Sequence, residues 1–203
     1  MKLVIIGAGG HAKVILEAAL LNGYSVIGFL DDDSKAQLSN LTHLGQPSEF
    51  RFFEHVKAVI AVGSNRHRQE LSSILKFRWE TIIHPFSWVS PSVQLGDGVV
   101  IMAGAVVQSS SVVQSHVIVN TGSRIDHDCC VNAFAHVAPG AVLTGEVIVG
   151  EGVLVGAGSI VNPKVCIGDW SVVASGAVLT KDAKSRKLYV GIPARIVRDL
   201  ENG

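Results

Sequence analysis

The chain has 203 residues, 48% of them hydrophobic, and its seventeen Lys and Arg balance seventeen Asp and Glu. That is enough for two compact domains, while the lack of net charge or of a basic run excludes an electrostatic footprint for nucleic acid. No stretch nears the roughly 18 continuous apolar residues of a membrane span, the N-terminal apolar run is too short for a signal segment, and Cys129, Cys130 and Cys166 are too few for a disulfide framework, so a reduced, cytoplasmic setting is expected, without nucleic-acid or membrane partners.

In chain order, the pattern predicts a strand over Leu3 to Ile6, a glycine-rich turn, a helix over Ala12 to Leu21 and a strand over Val26 to Leu30, a βαβ start. The turn "GAGGHA", Gly7 to Ala12, satisfies G-x-G-x-x-G/A, and Asp31 lies about 20 residues on, behind the second strand. Glycines there let backbone approach a phosphate, and the following helix start offers N–H groups and a positive dipole end. Gly9, Gly10 and His11 are candidate phosphate-side contacts. Asp31 and Asp32 are candidates for a ribose or base, with a solvated acidic loop as the competing reading. The region has room for about half of a full dinucleotide fold, so a mononucleotide or nucleotide-sugar fits better than a dinucleotide. A third strand, Ala58 to Val62, leads through "GSNRHR" into a helix over Gln69 to Phe77, and "IIHPFSW" forms the junction.

Stepping by six from Val89 to Leu179 meets an aliphatic residue every time, and the position four places later is always small or a valine. An uninterrupted hexad of this kind marks a parallel β-helix, each six residues making one face of a three-sided prism. Three hexads per coil give about five coils at the usual strand spacing of roughly 4.8 Å. The C-terminal "VGIPARIVRDL" follows the last hexad and is expected to cap the prism. The resulting division is 1–80, 81–182 and 183–203.

The stretch "IDHDCC", Ile125 to Cys130, has the composition of a metal site, but the repeat phase separates its members. Ile125 and Cys129 point inward; Asp126, His127 and Asp128 occupy the following turn; Cys130 faces out. No metal is expected. An outward His127 suits general-base chemistry near neutral pH, with Asp128 and Asp126 as alternative orienting carboxylates. Cys129 as a covalent nucleophile is opposed by its inward phase. His136 also points outward, from a different face, and His116 reads as a plain surface residue. His116, His127 and His136 are spaced unlike the zinc ligands of β-helical carbonic anhydrases. With no excursion loop, a flat-sided prism has no cleft of its own, so a site must be built between subunits or against the N-terminal domain.

Together, "GAGGHAKVILEAA", "GFLDDD", "IIHP", the hexad, "NTGSRIDHDCCV", "AHVAPGAVLTGEV" and "GIPAR" resemble the NeuD/PglD-type sugar acetyltransferase family of hexapeptide-repeat acyltransferases, over nearly the whole chain. The resemblance implies an α/β N-terminal Rossmann-like βαβ domain followed by a left-handed parallel β-helix. It also implies a homotrimer with active sites between subunits, a UDP-linked amino sugar on the N-terminal domain and acetyl-CoA, as co-substrate, in the groove between prisms. The expected reaction is acetyl transfer to the amine of a UDP-linked 4-amino-4,6-dideoxy sugar. The alternatives are O-acetylation of a sialic acid or other sugar, and a GDP-linked amino sugar as acceptor. Carried over by motif, His127 is the base and Asp128 its orienter. His136, Gly145, Ala157 and Ser175 fall to acetyl-CoA, and Gly9, Gly10, His11, Asp31, Asp32 and Asn120 to the sugar nucleotide.

Overall fold

The computed structural model describes residues 1–49 and 55–200. Strands β1 (Lys2–Ile6), β2 (Ser25–Leu30), β3 (Lys57–Ile60) and β4 (Arg78–Trp79) form a parallel sheet in the order β2-β1-β3-β4. Helix α1 (Gly10–Leu21) buries Ala12, Ile15, Leu16, Ala18 and Ala19 against Leu3, Ile5 and Phe29, which explains its apolar spacing. Helix α2 (Asn65–Ile74) starts four residues before the expected Gln69 and ends three before Phe77. Ser64 caps it by accepting from the His67 N–H, and its first turn carries polar residues where an apolar stripe would have announced a helix. The short strand β4, which follows directly, has no sequence signature of its own.

From Ile82 the chain winds as a three-faced left-handed prism, the two-residue strands of each face pairing in parallel with those one coil before and after. The chain visits the faces in a fixed rotation. The first carries Ile118–Val119 and His136–Val137, the second Arg124–Ile125 and Val142–Leu143, the third Cys130–Val131 and Ile148–Val149. From Gly98 to Gly176, every sixth residue has φ between +56° and +69°, among them Asp128 and Glu146. These are the corners, and the left-handed backbone turns the chain there. The ladder is longer than the five coils expected. Its first face begins at Ile82–Ile83, before the hexad window, and gains Lys187–Gly191 after it, closed by the antiparallel edge strand Ala194–Asp199.

The prism interior is the stacked hexad: Ile125, Val131, Val137, Leu143 and Val149 are fully buried in one continuous core. Leu143→Ala should lower stability by about 2–5 kcal/mol, the range for a buried leucine whose neighbours cannot collapse into the gap. A denaturant midpoint that does not move would contradict that packing. The N-terminal domain sits on the outside of the first face, where Ile82, Val100 and Met102 join its own apolar core. Polar ties run beside this seam, with Asn22 donating to the Ile83 carbonyl, Asn65 to the Gly152 carbonyl and Gln69 to Glu151.

Candidate active site

His127 occupies the corner between the second and third faces. Its position is set by both flanking carboxylates. Asp126 Oδ1 accepts the His127 backbone N–H at 2.8 Å, and Asp128 Oδ2 lies 2.7 Å from Nδ1. Of the two expected orienters, Asp128 holds the ring and Asp126 holds the backbone. With Nδ1–H donated to Asp128, Nε2 is the free lone pair. His127 and Asp128 are both about half exposed at the side chain, 53% and 55%. The hydrogen bond to Asp128 raises the His127 pKa above the ordinary histidine value, aided by the charges of Asp126, Asp128 and Glu146.

Gly145 is stacked one coil above. A Cβ there would sit 2.7 Å from Cε1 and 2.8 Å from Nε2 of His127, so the imidazole lies against a surface that only glycine provides. Cys129 is buried, donates to the Thr144 carbonyl at 3.1 Å and has its thiol pushed up to about 11 by desolvation. It is a core residue, not a nucleophile. Among the described residues, no group of three or more His, Cys, Asp or Glu side chains is arranged to hold a metal ion.

The second set of predicted residues gathers at the carboxyl ends of the parallel strands, where sheet order diverges on either side of β1 and open α/β sheets take their ligands. Gly7 has φ +105° and its Cβ would meet Val62 Cγ2 at 2.9 Å, so the turn packs tightly on the loop after β3. Asp31 Oδ2 accepts the Ala8 N–H at 2.8 Å and Oδ1 accepts from Asp33, which makes Asp31 a tie that shapes the turn. Asp32 is exposed beside it, and both border a small cleft of about 60 Å³. Gly9 and Gly10 are exposed at the start of α1, with open space where their Cβ atoms would lie.

His11 and His136 meet across the seam, ring centroids 6.4 Å apart. Burial, followed by the nearby Arg68 charge, lowers His11 to about 4 and His136 to about 3, so both are neutral. His136 does point out of the prism, but onto its own N-terminal domain, where it is half-buried and accepts from Asn120 Nδ2 at 3.0 Å. His116 corrects the surface reading: it is buried, stacked on Phe134 at 5.4 Å and edge-on to Trp79 at 5.0 Å, because the N-terminal domain covers its side of the prism. Ala157 and Ser175 are exposed at the corner after the first face, the corner that Asn120 also occupies a few coils earlier. Sequence reasoning missed Arg68, which is 1% exposed and bonded to both domains. The signal available for it was a Ser64 helix cap placing residue 68 on the first turn's inner side.

Thus one chain carries a half-exposed imidazole held by a carboxylate at one corner, and an amide donor at another corner. The PglD N-terminal domain family matches residues 2–75, the bacterial transferase hexapeptide family matches 146–181 and the hexapeptide repeat of succinyl-transferase matches 87–109. The chain is 38% identical over 112 residues to UDP-N-acetylbacillosamine N-acetyltransferase of Bacillus subtilis (strain 168), covering 50% of this chain and 51% of that one. It spans about half or less of the length of the curated relatives it matches. Among solved structures, the acetyltransferase domain of PglB from Neisseria gonorrhoeae in complex with acetyl coenzyme A is 38% identical with a TM-score of 0.92, covering 97% of this chain and 98% of that one. PerB from Caulobacter crescentus, in complex with CoA and GDP-perosamine, is 36% identical with a TM-score of 0.92 and covers 98% of both chains. End-to-end similarity at this identity, over both the glycine-rich domain and the hexad prism, means that the chain belongs to the NeuD/PglD-type hexapeptide-repeat sugar acetyltransferases.

Proposed function

We propose that this chain transfers the acetyl group of acetyl-CoA to the amino group of a UDP-linked 4-amino-4,6-dideoxy sugar, as a cytoplasmic homotrimer. The observation that carries the chemistry is His127, exposed, with Nδ1 committed to Asp128 and Nε2 free. The neutral amine attacks the thioester carbonyl carbon, and Nε2 takes the proton released as the C–N bond forms. The tetrahedral oxyanion is met by the Gly145 N–H, which is unpaired among the described residues. The C–S bond then breaks, and the imidazolium returns its proton to the thiolate, giving the N-acetyl sugar and free CoA thiol.

His127 and the His11–His136–Asn120 group lie at different corners of one prism, so they meet when the His127 corner of one chain approaches the Asn120 corner of the next. Ala157 and Ser175, exposed along that second corner, line the path of the pantetheine arm. Gly9, Gly10, His11, Asp31 and Asp32 hold the nucleotide. A GDP-linked acceptor is the second reading, favoured by the end-to-end similarity to PerB, whose structure holds GDP-perosamine. Thiol release measured across UDP-, GDP- and dTDP-linked amino sugars, with a sialic acid as hydroxyl acceptor, tests the proposal. Turnover confined to UDP-linked amines supports it, a preference for GDP selects the second reading, and turnover only with the hydroxyl acceptor overturns amine transfer.

The base works in its neutral form, so the raised His127 pKa places the acid limb of the kcat/KM profile above the ordinary histidine value, with activity lost as pH falls through it. Asp128→Asn removes the largest cause of that shift. The limb should then move to lower pH while the plateau rate drops, and a limb that stays in place would assign it to another group.

A further inference from the structure

Arg68 is a buried guanidinium whose hydrogen-bond partners are all neutral oxygens. Nη1 donates to the carbonyls of Val62 and Gly63 at 3.1 and 3.0 Å, on its own domain. Nε donates to the His116 carbonyl at 3.1 Å, and Nη2 to the Phe134 carbonyl at 2.7 Å, both on the prism, as well as to Asn65 Oδ1 at 3.0 Å. None of the ion pairs among the described residues involves it. A charge taken out of water needs its whole donor set satisfied, and here carbonyl dipoles from both sides of the seam do so. A planar five-donor fork can bridge the loop after β3 and two successive prism corners; an ammonium cannot.

The same atoms lead to Asn120. Its Oδ1 accepts the Thr121 N–H at 2.8 Å, which fixes which end of the amide is which, so Nδ2 faces His136 and donates. A ring nitrogen that accepts carries no proton; His136 is therefore neutral with its hydrogen on Nδ1. The carbonyl of Gly63, itself held by Arg68, faces the same imidazole. Protonated His136 would set an N–H against an N–H and release the amide. The groups that face the ring are Arg68 and His11, with Arg66 and Arg186 further along the same groove, and each is cationic or neutral.

We propose that Arg68 and His136 are positioning residues, a relay across the domain seam that holds Asn120 in one orientation and leaves its second Nδ2–H free for the ligands of the site. The proposal rests on the acetyltransferase reading for its ligands. It gives His136 a task within the chain, because its Nε2 is engaged by Asn120.

The test is a cycle of His136→Phe, Asn120→Ala and the double variant, with CoA affinity measured by calorimetry and histidine tautomers by ¹⁵N NMR of the wild-type protein. The relay predicts that each single change lowers kcat/KM by about tenfold or more, that the double is no worse than the poorer single, and that CoA affinity stays within about twofold. His136→Gln, which keeps an acceptor, should restore most of the loss. The wild-type ring should show the Nδ1–H tautomer, and Arg68→Lys should mix the tautomers. Multiplying losses, a CoA affinity that falls about tenfold in His136→Phe, or an Nε2–H tautomer would each overturn it. If the wild-type protein transfers acetyl to no acceptor, the functional reading fails, while the tautomer and the CoA affinities still decide the relay.

Discussion

His127→Ala should lower turnover by about 10²–10⁴-fold, the usual contribution of a positioned general base, and leave CoA affinity within about twofold. The expectation follows from where the side chain is. It is half exposed at a prism corner, contributes nothing to the hexad core and touches the rest of the fold chiefly through Asp128 and the face of Gly145. Its removal therefore deletes chemistry without opening a cavity, and the melting temperature should stay put. Steady-state kinetics beside calorimetric CoA binding checks both halves. A variant that keeps most of its turnover would remove His127 from the mechanism.

Gly145→Ala is expected to be nearly as damaging to turnover, about 10²-fold, for a different reason. The glycine is not among the positive-φ residues, so alanine is conformationally allowed there. The added methyl would, however, start 2.7 Å from the His127 ring. The corner backbone is fixed by ladder bonds, including Glu146 N–H to the His127 carbonyl at 3.0 Å, whereas the exposed imidazole can swing. It is the ring that moves, taking Nε2 off line and loosening the Asp128 bond; displacements of about 1 Å at a reacting group cost rates of this size. Placed on a His127→Ala background, the same substitution should do little further harm to turnover. A stable Gly145→Ala protein with ordinary kcat would mean that the ring does not rest on that corner during the reaction.

How much of this was legible in the sequence divides along the domain seam. The hexad phase told inside from outside correctly at Ile125, Cys129 and Val131, because each six-residue step in a prism has one inward position and no tertiary contact overrides it. The same phase misled at His116. Outward from the prism is not outward to solvent there, because the first face is roofed by the N-terminal domain, and His116 ends between Trp79 and Phe134. The βαβ start was readable from the apolar spacing of β1, α1 and β2; α2 was readable only from Gln69 on, its first residues hidden within "GSNRHR" because Arg68, not an aliphatic residue, is buried there ahead of Leu71. The pairing of Asp128, rather than Asp126, with the imidazole was open in the sequence. It depends on the left-handed corner at Asp128, φ +58°, which turns that carboxylate back to Nδ1.

The account stands on a base from one chain serving ligands held by the next, and subunit mixing tests that most directly. Asn120→Ala and His127→Ala chains, each retaining at most about a tenth of wild-type activity alone, are co-refolded in equal amounts and assayed for thiol release with the preferred amino-sugar nucleotide. A site shared between neighbours in a closed ring recovers about a quarter of wild-type activity, since about one site in four then draws an intact His127 and an intact Asn120 from different chains. Mixed assemblies that form, as judged by mass, and release no thiol would contradict a site built across the subunit boundary.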